Sequence, residues 1–161
     1  MAPRRKQLDI AKDFVRNMED RVGWFTVQET ELKGRGVFAS VDINAGDFLL
    51  EYGGELISGL EGERRELSIP SVFRFFFQHK EKTLCVDATK EVGANEKGVK
   101  LGRLVNHGSL NECNAKMKVV DVEGYKVALC LFAIKQIKKG EEILYDYGIK
   151  NLPWEVIILS Y

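Results

Sequence analysis

The stretch GEEILYDYG, residues 140–148, predicts a turn, a short strand and a glycine stop. Lys138 and Lys139 immediately before it, followed by Gly140, are typical of a turn that enters a strand. Because side chains alternate along an extended backbone, Tyr145 and Tyr147 project from one face about 7 Å apart. Two neighbouring phenols are either core filler or the wall of a narrow aromatic channel. Such a channel holds an aliphatic side chain and hydrogen-bonds its polar tip.

The composition indicates one soluble globular domain. The chain has 161 residues, 45% of them apolar and 30% charged, and its formal net charge is zero. That length buries a core without disulfides. A neutral molecule has no general attraction to nucleic acid or anionic lipid, so we expect no sequence-specific nucleic-acid binding. We also expect no membrane association, since no apolar run approaches the roughly 18 residues of a membrane span and no signal-peptide core is present.

The cysteines argue against a disulfide framework and against a metal site. Cys85, Cys113 and Cys130 are odd in number, distant in sequence and without a CxxC pair. This pattern favours reduced, intracellular thiols. A structural zinc site needs four ligands, which two histidines and three scattered cysteines do not supply. We therefore expect no metal.

Hydrophobic periodicity predicts one N-terminal helix followed by many short strands. An apolar stripe at helical spacing predicts the helix over residues 7–22, and one or two helical turns are predicted over 61–68. Glycine-bearing polar sequence predicts a loop over 90–100. The predicted strands are 24–29, 36–40, 47–52, 54–57, 72–78, 83–87, 119–122 and 127–134. Helices are few, and strands and helices do not alternate in βαβ order. This pattern predicts a mostly β domain with short helices.

Lys33-Gly34-Arg35-Gly36 is predicted to be the turn between the first two strands. Its glycines expose backbone groups that either cradle a ligand or simply close a hairpin. The motif is not a Walker loop, because no Gly-Lys-Ser/Thr follows. It is not a dinucleotide fingerprint either, because no helix opens there.

Two further pairs of residues leave their roles open. Asn106-His107 is most often a structural hydrogen-bonding corner, and a protease pair of His107 with Cys113 has no supporting local context. Glu141-Glu142 is a pair of carboxylates that a solvated turn explains best.

Five motifs occur in the order found in SET-domain lysine methyltransferases, and the chain resembles that family over about residues 24–154. The motifs are KGRGVFA (33–39), EYGGELI (51–57), CVDAT (85–89), LGRLVNH (101–107) and GEEILYDYG (140–148). Agreement of five separated motifs in order and rough spacing makes the resemblance specific. CVDATK and ILYDYG are most similar to the histone H4 lysine monomethyltransferases of PR-Set7 type.

The resemblance implies a SET-domain fold, with small β-sheets around a C-terminal pseudoknot. It implies three parts: an N-terminal flanking helix in residues 1–23, a SET catalytic domain in 24–150 and a short C-terminal flank in 151–161. The implied methyl donor is S-adenosyl-L-methionine. The implied partners are a histone H4 tail or nucleosome, or another lysine-bearing protein, and the implied setting is a nuclear monomer.

By similarity to the family, Tyr147 is the catalytic tyrosine beside the reacting amine. Tyr145 is the switch position that sets the number of methyl groups transferred. A tyrosine there, instead of phenylalanine, keeps a water and leaves little space, which implies monomethylation. Tyr52 is a third wall of the lysine channel, and Arg103 matches an arginine that these enzymes need for activity.

The cofactor-binding residues implied by the resemblance are Lys33, Gly34, Arg35, Phe73, Asn106, His107 and Trp154. Asn106 and His107 act through backbone and side chain, and the three hairpin residues contact the cofactor from the opposite side. Phe73 stands where relatives carry a cofactor-contacting tyrosine. Trp154 matches a tryptophan that stacks on adenine.

The chain departs from the family pattern at several positions. Gly108 follows His107 where the family usually has serine, Phe73 lacks a hydroxyl, and Ile149 replaces an acidic residue. The loop over 90–100 is longer. The alternative function is therefore a catalytically lapsed SET domain that binds a basic peptide or chromatin.

Overall fold

The computed structural model describes residues 6–21, 23–90 and 100–146. Within these ranges the chain forms two α-helices, α1 (Gln7–Asn17) and α2 (Gly59–Ser68), and a 3₁₀ helix, Gly102–Leu104. The strands are β1 (Phe25–Thr30), β2 (Gly34–Ala39), β3 (Phe48–Glu51), β4 (Glu55–Ser58), β5 (Arg74–His79), β6 (Lys82–Asp87), β7 (Asn106–His107), β8 (Ala115–Val122), β9 (Lys126–Ala133) and β10 (Leu144–Tyr145). The mostly β fold class with short helices is confirmed.

The strands form three small sheets. β1 and β2 form a hairpin, β4-β6-β5 form a three-stranded sheet, and β3-β9-β8-β10-β7 form a five-stranded sheet. One apolar cluster joins all three sheets, through side chains such as Val37, Leu50 and Val86. In the described ranges, no helix combines the length and apolar character needed to cross a membrane.

The β1–β2 hairpin turns at residues 31–33, earlier than predicted. Gly34, Arg35 and Gly36 belong to β2 and pair with the end of β1, so the prediction of a turn over 33–36 was wrong. Gly34 has a φ of 68°, which glycine adopts without the steric cost that a side chain brings. The strand can therefore begin directly after the turn.

Helix α1 begins at the predicted residue and ends at Asn17 instead of residue 22. Met18 adopts a φ of 54°, the left-handed conformation that commonly ends a helix. The predicted end of this flanking helix was therefore wrong, because the apolar stripe continues beyond the hydrogen-bonded turns. Ala11 and Val15 are fully buried and pack α1 onto the five-stranded sheet.

Helix α2 lies on the three-stranded sheet with glycines at the contact. It begins two residues before the predicted start because the Ser58 hydroxyl accepts a hydrogen bond from the Glu61 N–H at 3.1 Å. This cap satisfies a free donor of the first turn. Gly59 and Gly62 are buried, and a Cβ at Gly62 would lie 2.5 Å from the Phe76 ring. The helix backbone therefore approaches the sheet closely.

Strand β10 lies between β7 and β8, which both precede it in the chain. It runs parallel to both, with Leu144 opposite Asn106 and Tyr145 opposite His107. The Asn114 carboxamide holds this segment, since its Oδ1 accepts from the Leu144 N–H at 2.9 Å. The insertion brings the Asn106-His107 corner beside Tyr145.

Candidate active site

A cavity of about 680 Å³ lies where the β1–β2 hairpin meets the other two sheets. It is lined by Lys33, Arg35, Tyr52, Val72, Phe73, Arg103, Leu104, Val105, Asn106, His107 and Tyr145. This volume is typical of small-molecule sites, which combine apolar and aromatic walls with a few polar groups. The cavity is therefore the candidate active site.

The cavity brings together residues that were predicted for the site from distant parts of the sequence. The predicted residues that line it are Lys33, Arg35, Tyr52, Phe73, Arg103, Asn106, His107 and Tyr145. Gly34 lies between two lining residues and is not itself part of the lining. Tyr147 and Trp154 lie outside the described residues, so their roles stay predictions.

Two tyrosines, Tyr52 and Tyr145, line the cavity, and the Phe75 ring packs against both of them. The Phe75 ring centroid lies 5.9 Å from that of Tyr52 and 6.5 Å from that of Tyr145. Tyr52 and Tyr145 are only 3% and 4% exposed. Sequence reasoning treated Phe75 as a strand residue only. Its spacing of two from Phe77 is the signal that both rings lie on one face of β5, toward the apolar cluster that joins the sheets.

Arg103 joins the 3₁₀ helix to the end of β6. Its guanidinium lies 3.9 Å from the centre of the Phe73 ring, a cation–π distance. Its Nε donates to the Ala88 carbonyl at 2.7 Å, and its Nη2 donates to the Thr89 carbonyl at 3.3 Å. The side chain is buried. Arg103 thus positions Phe73 and the end of the three-stranded sheet at the cavity.

The Asn106 side chain is held by two acceptors. Its Nδ2 donates to the Arg35 carbonyl at 3.1 Å and to Glu142 Oε2 at 2.8 Å. Glu142 is half-buried, so its interpretation as part of a solvated turn was wrong. The turn residue Glu141 beside it is exposed, and sequence alone could not tell the two carboxylates apart.

The hairpin is also tied to the strand that carries His107. The Lys33 Nζ donates to the His107 carbonyl at 3.1 Å. The Gly108 N–H donates to the Tyr145 carbonyl at 3.0 Å, which continues the pairing of β7 with β10. Three separated motifs therefore share one hydrogen-bonded corner.

The charged side chains that line the cavity are cationic. Among the described residues that line it, Lys33, Arg35 and Arg103 carry positive charge and none carries a carboxylate. Guanidinium and ammonium groups form strong, charge-assisted hydrogen bonds with carboxylates. The wall is therefore suited to a ligand that bears an anionic group.

Cys113 does not have the properties of a catalytic nucleophile. Its Sγ donates to the Gly108 carbonyl at 3.2 Å, and burial raises the pKa of the thiol above its ordinary value. A thiol must be deprotonated to attack a substrate. These contacts agree with the rejection of a cysteine protease pair.

The sequence matches the SET domain family over residues 34–148. The N-lysine methyltransferase KMT5A-B of Xenopus laevis is 38% identical over 76% of this chain and 37% of its own length. The histone-lysine N-methyltransferase set-1 of Caenorhabditis elegans is 38% identical over 81% of this chain and 55% of its own length. The chain thus spans between about a third and just over half the length of these relatives.

Two solved structures share the fold. CpSET8 from Cryptosporidium superposes with a TM-score of 0.65 at 35% identity, covering 77% of this chain and 57% of its own. The ctPRC2 of Chaetomium thermophilum, in an autoinhibited conformation bound to S-adenosylmethionine, superposes with a TM-score of 0.60 at 31% identity. That match covers 84% of this chain and 16% of the other. These likenesses confirm the predicted SET-domain fold.

Proposed function

The chain belongs to the SET-domain family, and on that premise we propose that it is an S-adenosylmethionine-dependent protein-lysine N-methyltransferase. The observation that carries the proposal is the cavity that joins Tyr52, Tyr145 and the Asn106-His107 corner. These residues come from separate motifs, and each was assigned to the site from the sequence. Relatives named for N-lysine and histone-lysine methyl transfer support the same activity.

The cavity fits the chemical groups of S-adenosylmethionine. The cofactor supplies a methyl group carried on a sulfonium. Lys33 and Arg35 offer cations to its carboxylate, and Asn106 offers a carbonyl oxygen to its ammonium. The volume of about 680 Å³ has room for a molecule of this size. We also assign Gly34, Phe73, His107 and Trp154 to this cofactor.

Tyr52 and Tyr145, with Phe75 packed against both, form the wall of the proposed lysine channel. Their buried rings exclude water, and desolvation lowers the pKa of a lysine ammonium, so the neutral amine becomes populated. In our proposal the hydroxyls of Tyr145 and Tyr147 then hold the amine nitrogen in a near-attack orientation. Arg103 stacks on Phe73, and both line the same cavity.

We propose a single methyl group on a lysine of the histone H4 tail as the product. The tyrosine at position 145 supports monomethylation, because its hydroxyl fills space that a second methyl group needs. The relative named as a histone-lysine methyltransferase supports a histone substrate. Such a substrate places the protein at chromatin in the nucleus, and we propose that it acts as a monomer.

The test is transfer of labelled methyl from S-adenosylmethionine to recombinant histone H4 and to nucleosomes. We expect label on an H4 lysine, with mass spectrometry showing monomethyl product. Tyr147→Phe is expected to abolish transfer while binding of S-adenosylhomocysteine, measured by calorimetry, is retained. Both measurements are made on the same preparations, so loss of chemistry is separated from loss of fold.

Two results would contradict the proposal in different ways. Absence of S-adenosylhomocysteine binding by the unaltered protein would remove the cofactor assignment and the enzyme assignment with it. Binding of cofactor and of the H4 tail without methyl transfer would favour the lapsed, peptide-binding alternative.

A further inference from the structure

Three segments far apart in sequence meet at one hydrogen-bonded pair in the candidate site. Asn106 is the penultimate residue of the LGRLVNH motif and lies on β7, Glu142 precedes β10, and Gly36 lies within β2. The Asn106 Nδ2 lies 2.8 Å from Glu142 Oε2. A Cβ placed on Gly36 would lie 2.5 Å from that same carboxylate oxygen and 2.9 Å from Asn106 Nδ2.

The two acceptors determine which way the Asn106 carboxamide faces. A carboxylate oxygen and a backbone carbonyl, that of Arg35, both accept hydrogen bonds and cannot donate. Only the NH₂ end of the carboxamide can satisfy both, so both of its hydrogens are used inside the protein. The carbonyl oxygen Oδ1 is then the polar atom of this side chain that is left for a ligand in the cavity.

We propose that Glu142 is a positioning residue for the cofactor site. It holds the Asn106 carboxamide so that Oδ1 is presented to a hydrogen-bond donor of the cofactor. The inference rests on the proposed function, and it adds a residue that the sequence alone led us to interpret as part of a solvated turn. Hydrogen bonds to an ionised carboxylate are about twice as strong as neutral ones, which suits a carboxylate for this task.

The contact with Gly36 supplies independent support. The φ of Gly36 is not in the left-handed region, so alanine could adopt its backbone conformation without strain. What excludes a side chain there is the space taken by Asn106 and Glu142. The Asn106–Glu142 pair is therefore the reason that glycine, and no larger residue, fits at position 36, the second glycine of the KGRG motif.

The first experiment compares S-adenosylhomocysteine affinity by calorimetry in the full chain and its variants. Glu142→Ala frees the carboxamide to rotate and is expected to weaken binding about 10-fold. Glu142→Gln keeps an acceptor and is expected to stay within about 3-fold of the unaltered protein. Glu141→Ala is the matched control, because it removes the adjacent, exposed carboxylate, and we expect no change in affinity. Thermal melting of each variant reports on folding.

A second readout does not depend on the cofactor. The Asn106 side-chain NH₂ signals in a ¹H–¹⁵N spectrum, assigned by their loss in Asn106→Asp, are expected to shift in Glu142→Ala and to remain nearly in place in Glu141→Ala. Gly36→Ala places a methyl group against the Asn106–Glu142 pair and is expected to weaken S-adenosylhomocysteine binding as well. In the Glu142→Ala background its effect should shrink, because interacting residues are not additive.

The outcomes separate this inference from the proposed function. No binding of S-adenosylhomocysteine by the unaltered protein would overturn both. Normal binding by the unaltered protein with equal affinity in Glu142→Ala would overturn only the positioning role. If Glu142→Ala fails to fold, the affinities of Glu142→Gln and Gly36→Ala test the positioning role instead. A Gln variant as weak as expected for Ala, or a Gly36→Ala variant with unchanged affinity, would count against the proposal.

Discussion

Tyr145 is the single residue on which product number depends in the proposed reaction. It is 4% exposed and lies against Phe75 with ring centroids 6.5 Å apart. Tyr145→Phe removes only a hydroxyl, and with it the water that the hydroxyl keeps, so space is left for a second methyl group. We expect the main product to change from monomethyl to dimethyl lysine, measured by mass spectrometry of the peptide product.

The control for that prediction is Tyr125→Phe. Tyr125 is an exposed tyrosine outside the cavity, in the turn between β8 and β9, so its loss of a hydroxyl should leave the product ratio unchanged. Identical product ratios in Tyr145→Phe and the unaltered protein would show that this hydroxyl does not limit methyl number.

The positive charge of Arg103 does not by itself account for its role in the site, because the shape of the guanidinium group also matters. Arg103→Lys keeps the positive charge and loses the planar fork that both donates to Ala88 and stacks on Phe73. A buried carbonyl left without its donor costs about 1–3 kcal/mol. We expect a lower melting temperature and at least a tenfold loss of methyl transfer.

Arg64→Lys serves as the control for Arg103→Lys. Arg64 makes an ion pair with Glu61 while 70% of its side chain is exposed. Exposed pairs contribute about 0–1 kcal/mol. Both variants are measured by thermal melting and by transfer rate. Equal behaviour of the two would remove the positioning role of Arg103.

At the scale of elements, helix α2 shows where packing overrides helix propensity. Alanine is favoured over glycine by about 1 kcal/mol in a helix interior, so propensity alone predicts that Gly62→Ala stabilises the protein. A Cβ there would lie 2.5 Å from the Phe76 ring and 2.9 Å from the Cys85 Cβ, both buried. Overpacking of this kind costs about 1–3 kcal/mol.

We therefore expect Gly62→Ala to lower the free energy of unfolding by about 1 kcal/mol, measured by denaturant unfolding. Glu63→Ala, on the exposed side of the same helix, is expected to stay within about 0.5 kcal/mol of the unaltered protein. A stabilised Gly62→Ala variant would mean that α2 lies farther from the sheet than described.

At the scale of the whole molecule, Asp87 links α2, β5 and β6 through one carboxylate. Its Oδ2 accepts from Arg65 at 3.0 Å and from Arg74 at 3.1 Å, and its Oδ1 accepts from the Thr89 N–H. Burial raises the pKa of Asp87, but the hydrogen bonds from Thr89, Arg65 and Arg74 together outweigh burial and hold the pKa well below 3.8. The carboxylate is thus more stable in the folded than in the unfolded chain.

A depressed carboxyl pKa contributes stability that is complete above the unfolded value and is lost as the pH falls toward the folded value. We therefore expect the free energy of unfolding to fall as the pH drops below about 4. Asp87→Asn should be destabilised by about 3–5 kcal/mol near neutral pH, since it leaves a buried arginine partly uncompensated. Its stability should also depend less on pH in this acidic range. Denaturant unfolding from pH 7 to pH 3 measures both effects, and parallel curves for the two proteins would contradict the assignment.

Local pattern predicted the strands well and their boundaries less well. Alternation and glycine punctuation located every described strand except β7 within about four residues, because those signals depend on neighbours in the chain. The two-residue strand β7 was not predicted, because it is defined by its pairing with the distant β10. The end of α1 was missed because Met18 leaves the helical conformation while the apolar stripe continues. The turn at residues 33–36 was misplaced because Gly34 starts a strand after a turn that carries no glycine.

By itself, the sequence determined the family, the mostly β class and most of the residues that line the cavity, because five motifs preserve their order and spacing. Only the tertiary structure decided that Phe75 packs against both Tyr52 and Tyr145 and that Gly36, Asn106 and Glu142 form one cluster. The physical reason is the insertion of β10 between two earlier strands. That pairing joins residues far apart in the chain, and local periodicity carries no information about which distant carboxylate will be buried beside which amide.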